Sequence, residues 1–247
     1  MAEVSPFFLW EKGWGRGFRR RIQVVPLPIP LPKGEIVFQP KLLDHMNKLP
    51  REFYTRSDVL EVARDLLGRK LVVPNRNGSR VAGIIVETEA YRGPEDRASH
   101  AYGGRRTNRT ETMYDIGGTA YVYFVYGMYN QFNVVTNIEN VPHAVLVRAL
   151  EPVEGINTIR RRRLGRSEYE LTSGPGRLCL AMGIDRRLDK ADLLGERVWL
   201  EEGVSVSPRE IARGPRIGID YAEKWVMKPW RFWIRDNPFV SRNQKRS

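Results

Sequence analysis

Two glutamates and a tyrosine occupy alternate positions in the stretch 81–91, VAGIIVETEAY. An apolar run typical of a buried strand leads into them. If the strand persists, its period of two puts Glu87, Glu89 and Tyr91 on one face. A carboxylate at the end of a core strand is costly to desolvate unless a partner or a reaction uses it. Glu89 stands at the exit of the strand, where a site would open, and is the better candidate for a general base. For Glu87 the balance favours ion pairing with the chain's many arginines. By spacing alone His100 reads as an ordinary loop histidine, and Tyr121 and Tyr123 as aromatics packing on a sheet.

The elements that must position these residues follow from pattern. Ser57 is placed to cap a helix in which Val59, Val62, Ala63, Leu66 and Leu67 form one apolar stripe ending at Gly68. Residues 70–73 read as a strand and Asn77-Gly78 as the hairpin turn back into 81–91. Gly93-Pro94-Glu95-Asp96 breaks that strand and opens a long polar loop of the kind that carries function. Residues 121–125 and 132–136 are strand-like, with YGMY between them. Hairpin tips normally carry Asn, Gly, Asp or Ser, so a tip with Tyr126, Met128 and Tyr129 exposes apolar surface. Either another part of the protein covers it or it is a wedge for a partner. Residues 143–152 form a core strand with Arg148 as its odd member. Residues 155–164 read as a helix bearing Arg160 to Arg163, and Ser173-Gly174-Pro175 as a helix start beside Arg177 that suits a phosphate. Residues 198–200 and the C-terminal WRFWIRD alternate like strands, the latter with Trp230, Phe232 and Ile234 on one face. Residues 213–220, RGPRIGID, make a basic, glycine-punctuated loop or short strand. Strands with irregularly interspersed helices argue a single α+β domain on a largely antiparallel sheet.

A chain of 247 residues, 41% hydrophobic, can bury a sizeable core. Its net charge of +12 points to an anionic partner, nucleic acid first and an anionic membrane second. One cysteine, Cys179, excludes an internal disulfide framework and a cysteine-rich metal site. No apolar run of ~18 residues is present, so no membrane span is expected, and the N-terminus lacks the order of a secretory signal. Residues 1–45 differ from the rest: scattered aromatics among glycines, Arg19-Arg20-Arg21, then prolines at 26, 28, 30 and 32. They read as an extension expected to be disordered, with a basic arm adding non-specific phosphate contacts or a start at Met46 as alternatives; residues 46–247 are the folded unit.

Several stretches in order, VETEAY, GPEDRASHAYGGRRTNR, AYVYFVYGMYNQFN, VLVRALEP, SGP with RLCLA and KPWRFW, resemble the alkyladenine-type 3-methyladenine DNA glycosylases, the methylpurine-DNA glycosylase family. The resemblance runs from about residue 49 to 240. It implies a curved antiparallel sheet with a protruding β-hairpin and surrounding helices, no metal or redox cofactor, and a monomer. The implied partner is duplex DNA containing damaged purines, wherever the cell keeps it: cytoplasm and nucleoid, or nucleus. It implies base excision repair by a monofunctional glycosylase that flips an alkylated or deaminated purine and hydrolyses its N-glycosyl bond. On the matching positions, Glu89 is the general base and Arg148 supports the catalytic water. Tyr91, His100 and Tyr123 sandwich the flipped base, Asn133 discriminates against guanine's amine, and Ile219 lines the pocket. Tyr126, with Met128 beside it, intercalates. Arg105, Arg106, Arg109 and Arg177 are expected phosphate contacts; Asn108 to Glu111, Tyr102 and Tyr114 depart from the family pattern.

The implied chemistry agrees with elementary physics. An inserted side chain and an aromatic pocket offset the lost stacking of a flipped base. Departure of the base leaves positive charge on the sugar, which a carboxylate stabilises while it deprotonates water. A non-catalytic nucleic-acid-binding module, or an RNA-binding or transferase accessory domain, would not need the set Glu89, Tyr91, His100 and Tyr123.

Overall fold

The sheet is built on β2 (Arg80–Arg92), whose residues 81–90 are all buried. The computed structural model describes residues 47–125 and 127–241. The extension read at 1–45, Met46 and Tyr126 lie outside the described residues. β1 (Lys70–Pro74) pairs antiparallel with the start of β2 through the expected turn, where Gly78 takes φ +79°. That left-handed conformation is one glycine adopts without penalty. β1 reaches only to Ile84; farther along, β8 (Arg231–Ile234) takes over the same edge at Glu87, Thr88 and Glu89. The opposite edge is covered along nearly its whole length by β5 (His143–Glu154). β3 (Ala120–Val125) and β4 (Tyr129–Thr136) continue the sheet beyond β5, β6 (Trp199–Glu201) lies outside β1, and β7 (Ile211–Gly214) pairs with β8. All these pairings are antiparallel, and the architecture is α+β in one domain, as expected.

The sheet's two faces do different work. One packs Val122, Phe132, Val134, Val145 and Val147 against helices. α2 (Val59–Asp65), after the one-turn α1 (Arg51–Tyr54), contributes Val62 and Ala63, and α4 (Pro175–Met182) contributes Leu178, Cys179 and Met182. α3 (Ile156–Arg162) buries only Ile159, so its arginines form a largely solvated face. Trp230, Phe232 and Ile234 belong to this core as the alternation predicts.

Two local expectations are corrected. Asp58, not Ser57, caps α2: its carboxylate accepts the Leu60 N–H at 2.8 Å, one residue nearer the first turn. Tyr129 is not part of the hairpin tip but the first residue of β4, paired with Val125. Among the described residues no helix is long and apolar enough to cross a membrane.

Candidate active site

Strand register assembles the site. Tyr121 of β3 faces Asn133 of β4, Asn133 faces Leu146 of β5, and Leu146 faces Glu89 of β2, one row across four strands. Two residues along each strand the same face presents Tyr123, paired with Gln131, and then Arg148; two residues the other way it presents Ala144, paired with Tyr91. Side chains i and i+2 share a face, so these rows form one patch, turned away from the helix-packed core. The β2–β5 ladder is irregular around Glu87, between Ile85 and Thr88. Such a break re-aims side chains locally.

Both glutamates are fully buried, and Arg148 stands between them. Its Nε donates to Glu87 Oε1 at 3.0 Å and its Nη1 lies 3.1 Å from Glu89 Oε1. The remaining partners separate the two acids. Glu87 also accepts from the Ser241 N–H at 2.7 Å and its hydroxyl at 2.9 Å, with Arg231 Nη1 at 3.6 Å. It is an anchoring group, in line with the ion-pair expectation. Glu89 Oε1 accepts from the Ile217 N–H at 2.8 Å, and Oε2 from the Tyr91 hydroxyl at 2.8 Å. Burial opposes the Arg148 cation, but the charges of Glu89 and Glu87 hold its pKa above the ordinary arginine value. Burial, then the neighbouring Glu89 charge, push the Tyr91 phenol well above its usual range, so it stays a donor.

Above this cluster opens a cavity of about 500 Å³, lined by Tyr91, His100, Tyr123, Asn133, Arg148 and Ile219 among others. The volume lies in the range of small-molecule pockets. The structure thus brings together every described residue expected in the base pocket. His100 and Tyr123 meet edge to face at 4.6 Å between ring centroids. His100 Nδ1 is 2.9 Å from the Tyr121 hydroxyl, and the Tyr123 hydroxyl donates to Gln131 at 2.7 Å. Burial, then Arg109 and Arg105, pull the His100 pKa down to about 4. At neutral pH this wall is therefore an uncharged imidazole. Asn133 donates to the Tyr121 carbonyl at 3.2 Å, which fixes its amide on the cavity wall.

A family model described as Methylpurine-DNA glycosylase (MPG) matches residues 52–238, a span that takes in the whole cavity. The chain belongs to that family. A protein named "Putative 3-methyladenine DNA glycosylase" from Natranaerobius thermophilus is 48% identical over 199 residues, covering 79% of this chain and 100% of the relative. Proteins of the same name from Bacillus cytotoxicus (47% over 205 residues, 79% of this chain, all of the relative) and Clostridium acetobutylicum (49% over 202 residues, 78% and 97%) are also similar. As a member of the methylpurine-DNA glycosylase family the protein is a DNA repair enzyme that hydrolyses N-glycosyl bonds, and DNA is its substrate.

The other expected residues of this glycosylase surround the cavity unevenly. Arg109 lies at the wall, its guanidinium 5.4 Å from the Tyr123 ring centroid. Arg105 is exposed beside it in the same loop. Arg106 is exposed, but its fork is occupied by Glu111, with Nη2 2.7 Å from Oε1, and by Asn140. Arg177 is half-buried in the first turn of α4, 3.4 Å from the Ser173 carbonyl. Met128 is 64% exposed at the hairpin tip.

Pattern reading missed Arg216 and Asp96, a buried ion pair between the loops that follow β2 and β7, and the Ile217 N–H that reaches Glu89. Their only sequence signal was an arginine inside the Gly-Pro-Arg-Ile-Gly run, read above as part of a basic loop. Tyr121, read as a packing aromatic, does line the cavity.

Proposed function

We propose that the protein is a monofunctional 3-methyladenine-type DNA glycosylase that flips alkylated or deaminated purines from duplex DNA and hydrolyses their N-glycosyl bond as a monomer. The observation that carries the reading is Glu89, buried directly behind an aromatic cavity whose wall residues Tyr91 and Arg148 respectively donate to it and pair with its charge. Similarity to proteins named for 3-methyladenine points the same way.

A purine entering the cavity stacks between Tyr91 and the pair His100 and Tyr123. N3- and N7-alkylated purines are cationic, and a cation over an aromatic face is favoured by roughly 0.5–2 kcal/mol. The neutral His100 adds no opposing charge. Asn133, its amide held by Tyr121, opposes the exocyclic amine of guanine, because two donors or a steric overlap at that edge leave a buried polar group unpaired.

In the chemical step the bond between N9 and C1′ breaks, and its electron pair leaves with the base. A purine already cationic departs neutral, whereas neutral hypoxanthine departs as an anion that takes a proton from solvent. Water attacks C1′, and Glu89 accepts its proton while stabilising the positive sugar. Glu89 Oε1 already faces two donors and Oε2 one, so Oε2 has the free lone pair for the water. Arg148 holds Oε1 from the other side. None of the described residues lining the cavity is a lysine, which favours water over a Schiff base as the nucleophile. Met128 at the hairpin tip, with Tyr126, fills the space the base vacates. Arg105, Arg109 and Arg177 contact phosphates.

The test is to incubate the protein with duplexes holding a single 7-methylguanine, hypoxanthine or 1,N6-ethenoadenine and then treat with alkali. Strand scission at the lesion is expected; intact strands from all three would sink the proposal.

A further inference from the structure

Behind Tyr91 lies an ion pair with no part in the chemistry above. The side chains of Arg216 and Asp96 are withdrawn from solvent, with Nη1 2.5 Å from Oδ2 and Nη2 2.9 Å from Oδ1 in a parallel fork. Nη1 also donates to the Ala90 carbonyl at 2.8 Å. The guanidinium carbon is 4.8 Å from the Tyr91 ring centroid and 5.1 Å from that of Trp230. Tyr91 lines the cavity and Arg216 does not, so the guanidinium backs the ring on its far side. A buried pair of this kind is a poor source of stability, since apolar residues of similar volume often serve as well. Here it also leaves Arg216 Nε without an acceptor. Linking two loops does not explain such a choice. Its position against a ring on the cavity wall does.

We propose that Asp96 and Arg216 form a specificity-determining, positioning pair for Tyr91: the guanidinium fixes the ring from behind, and Asp96 cancels its charge so that the open face can receive a positively charged base. The inference rests on the reading of Tyr91 as a stacking wall for the flipped purine. An uncancelled guanidinium and a cationic purine on opposite faces of one ring would stand about 8 Å apart, and at an effective dielectric constant of ~20 their repulsion disfavours cationic bases by roughly tenfold or more. The carboxylate at hydrogen-bonding distance removes that repulsion, and a neutral lesion is indifferent to it.

The experiment compares single-turnover excision of 7-methylguanine, cationic, with that of hypoxanthine, neutral, from otherwise identical duplexes. Asp96→Asn leaves an unpaired cation behind Tyr91 and should lower the 7-methylguanine-to-hypoxanthine rate ratio about tenfold. Asp96→Ser, which leaves room for a water against the guanidinium, is a second route to the same state should the asparagine variant not fold. Arg216→Gln, alone or with Asp96→Asn, leaves no cation there: both rates fall as the ring loosens, but the ratio is no lower than in wild type. An unchanged ratio in the Asp96 variants, or an equal drop in the double variant, overturns the proposal. Wild type inactive on both lesions would instead defeat the underlying glycosylase reading, so the two failures are distinguishable.

Discussion

The hydroxyl of Tyr91 donates to Oε2 of Glu89 at 2.8 Å, although the two residues sit two apart on one strand. One side chain thus contributes both a ring to the cavity wall and a donor to the carboxylate beneath it. Tyr91→Phe separates these roles. It keeps the ring and removes a hydrogen bond to a charged group, a type of contact worth about 1.5–3 kcal/mol. Single-turnover excision should slow roughly 10- to 100-fold while affinity for damaged duplex changes little. Equal losses in rate and affinity would mean that the hydroxyl serves binding only.

Arg148 bridges two fully buried carboxylates. Arg148→Met leaves Glu89 without its ion-pair partner and Glu87 with only Arg231 at 3.6 Å, and breaking a buried pair in this way costs roughly 3–5 kcal/mol. Urea denaturation should show that loss, together with loss of excision. A variant as stable as wild type would show that Glu87 and Glu89 do not depend on this arginine.

His100 makes stability pH-dependent. Its pKa, about 4 in the folded protein, lies below the ordinary histidine value of 6.5 that holds in the unfolded chain. Above pH 6.5 neither state binds the proton and nothing is lost. As pH falls below 6.5 the unfolded chain takes up a proton that the folded one refuses, so stability drops until about pH 4. Between pH 7.5 and pH 5 the loss attributable to His100 is about 2 kcal/mol. His143, also depressed, adds in the same direction, so the comparison is with His100→Gln, whose stability should fall less over that interval. Identical pH dependence in the two proteins would contradict the assignment.

The parts of the site that rest on local periodicity were legible in the sequence. Alternation placed Glu87, Glu89 and Tyr91 on one face, and a tight tip sets the β3–β4 register that brings Tyr123 opposite Gln131. His100 was not legible in this way. Spacing made it an ordinary loop histidine, and only the resemblance to the glycosylases put it in the pocket. The Arg216–Asp96 pair, 120 residues apart, was illegible for a physical reason. It forms because β8 docks on β2 and so brings the loops around them together, a long-range pairing that no local pattern encodes. The Ile217 N–H is a backbone donor, and its aim at Glu89 depends on that same docking. The cap of α2 shows the smaller uncertainty: Ser57 and Asp58 are both good caps, and side-by-side candidates leave the boundary open by one residue.

Of the two buried acids, Glu89 and not Glu87 is the proposed base. The most direct measurement is single-turnover excision of hypoxanthine from a duplex by wild type, Glu89→Gln and Glu87→Gln, with binding and melting recorded alongside. The account predicts that Glu89→Gln binds the damaged duplex but releases no base above background, whereas Glu87→Gln loses stability and, at a temperature where it remains folded, still excises. Wild-type excision by Glu89→Gln would contradict it.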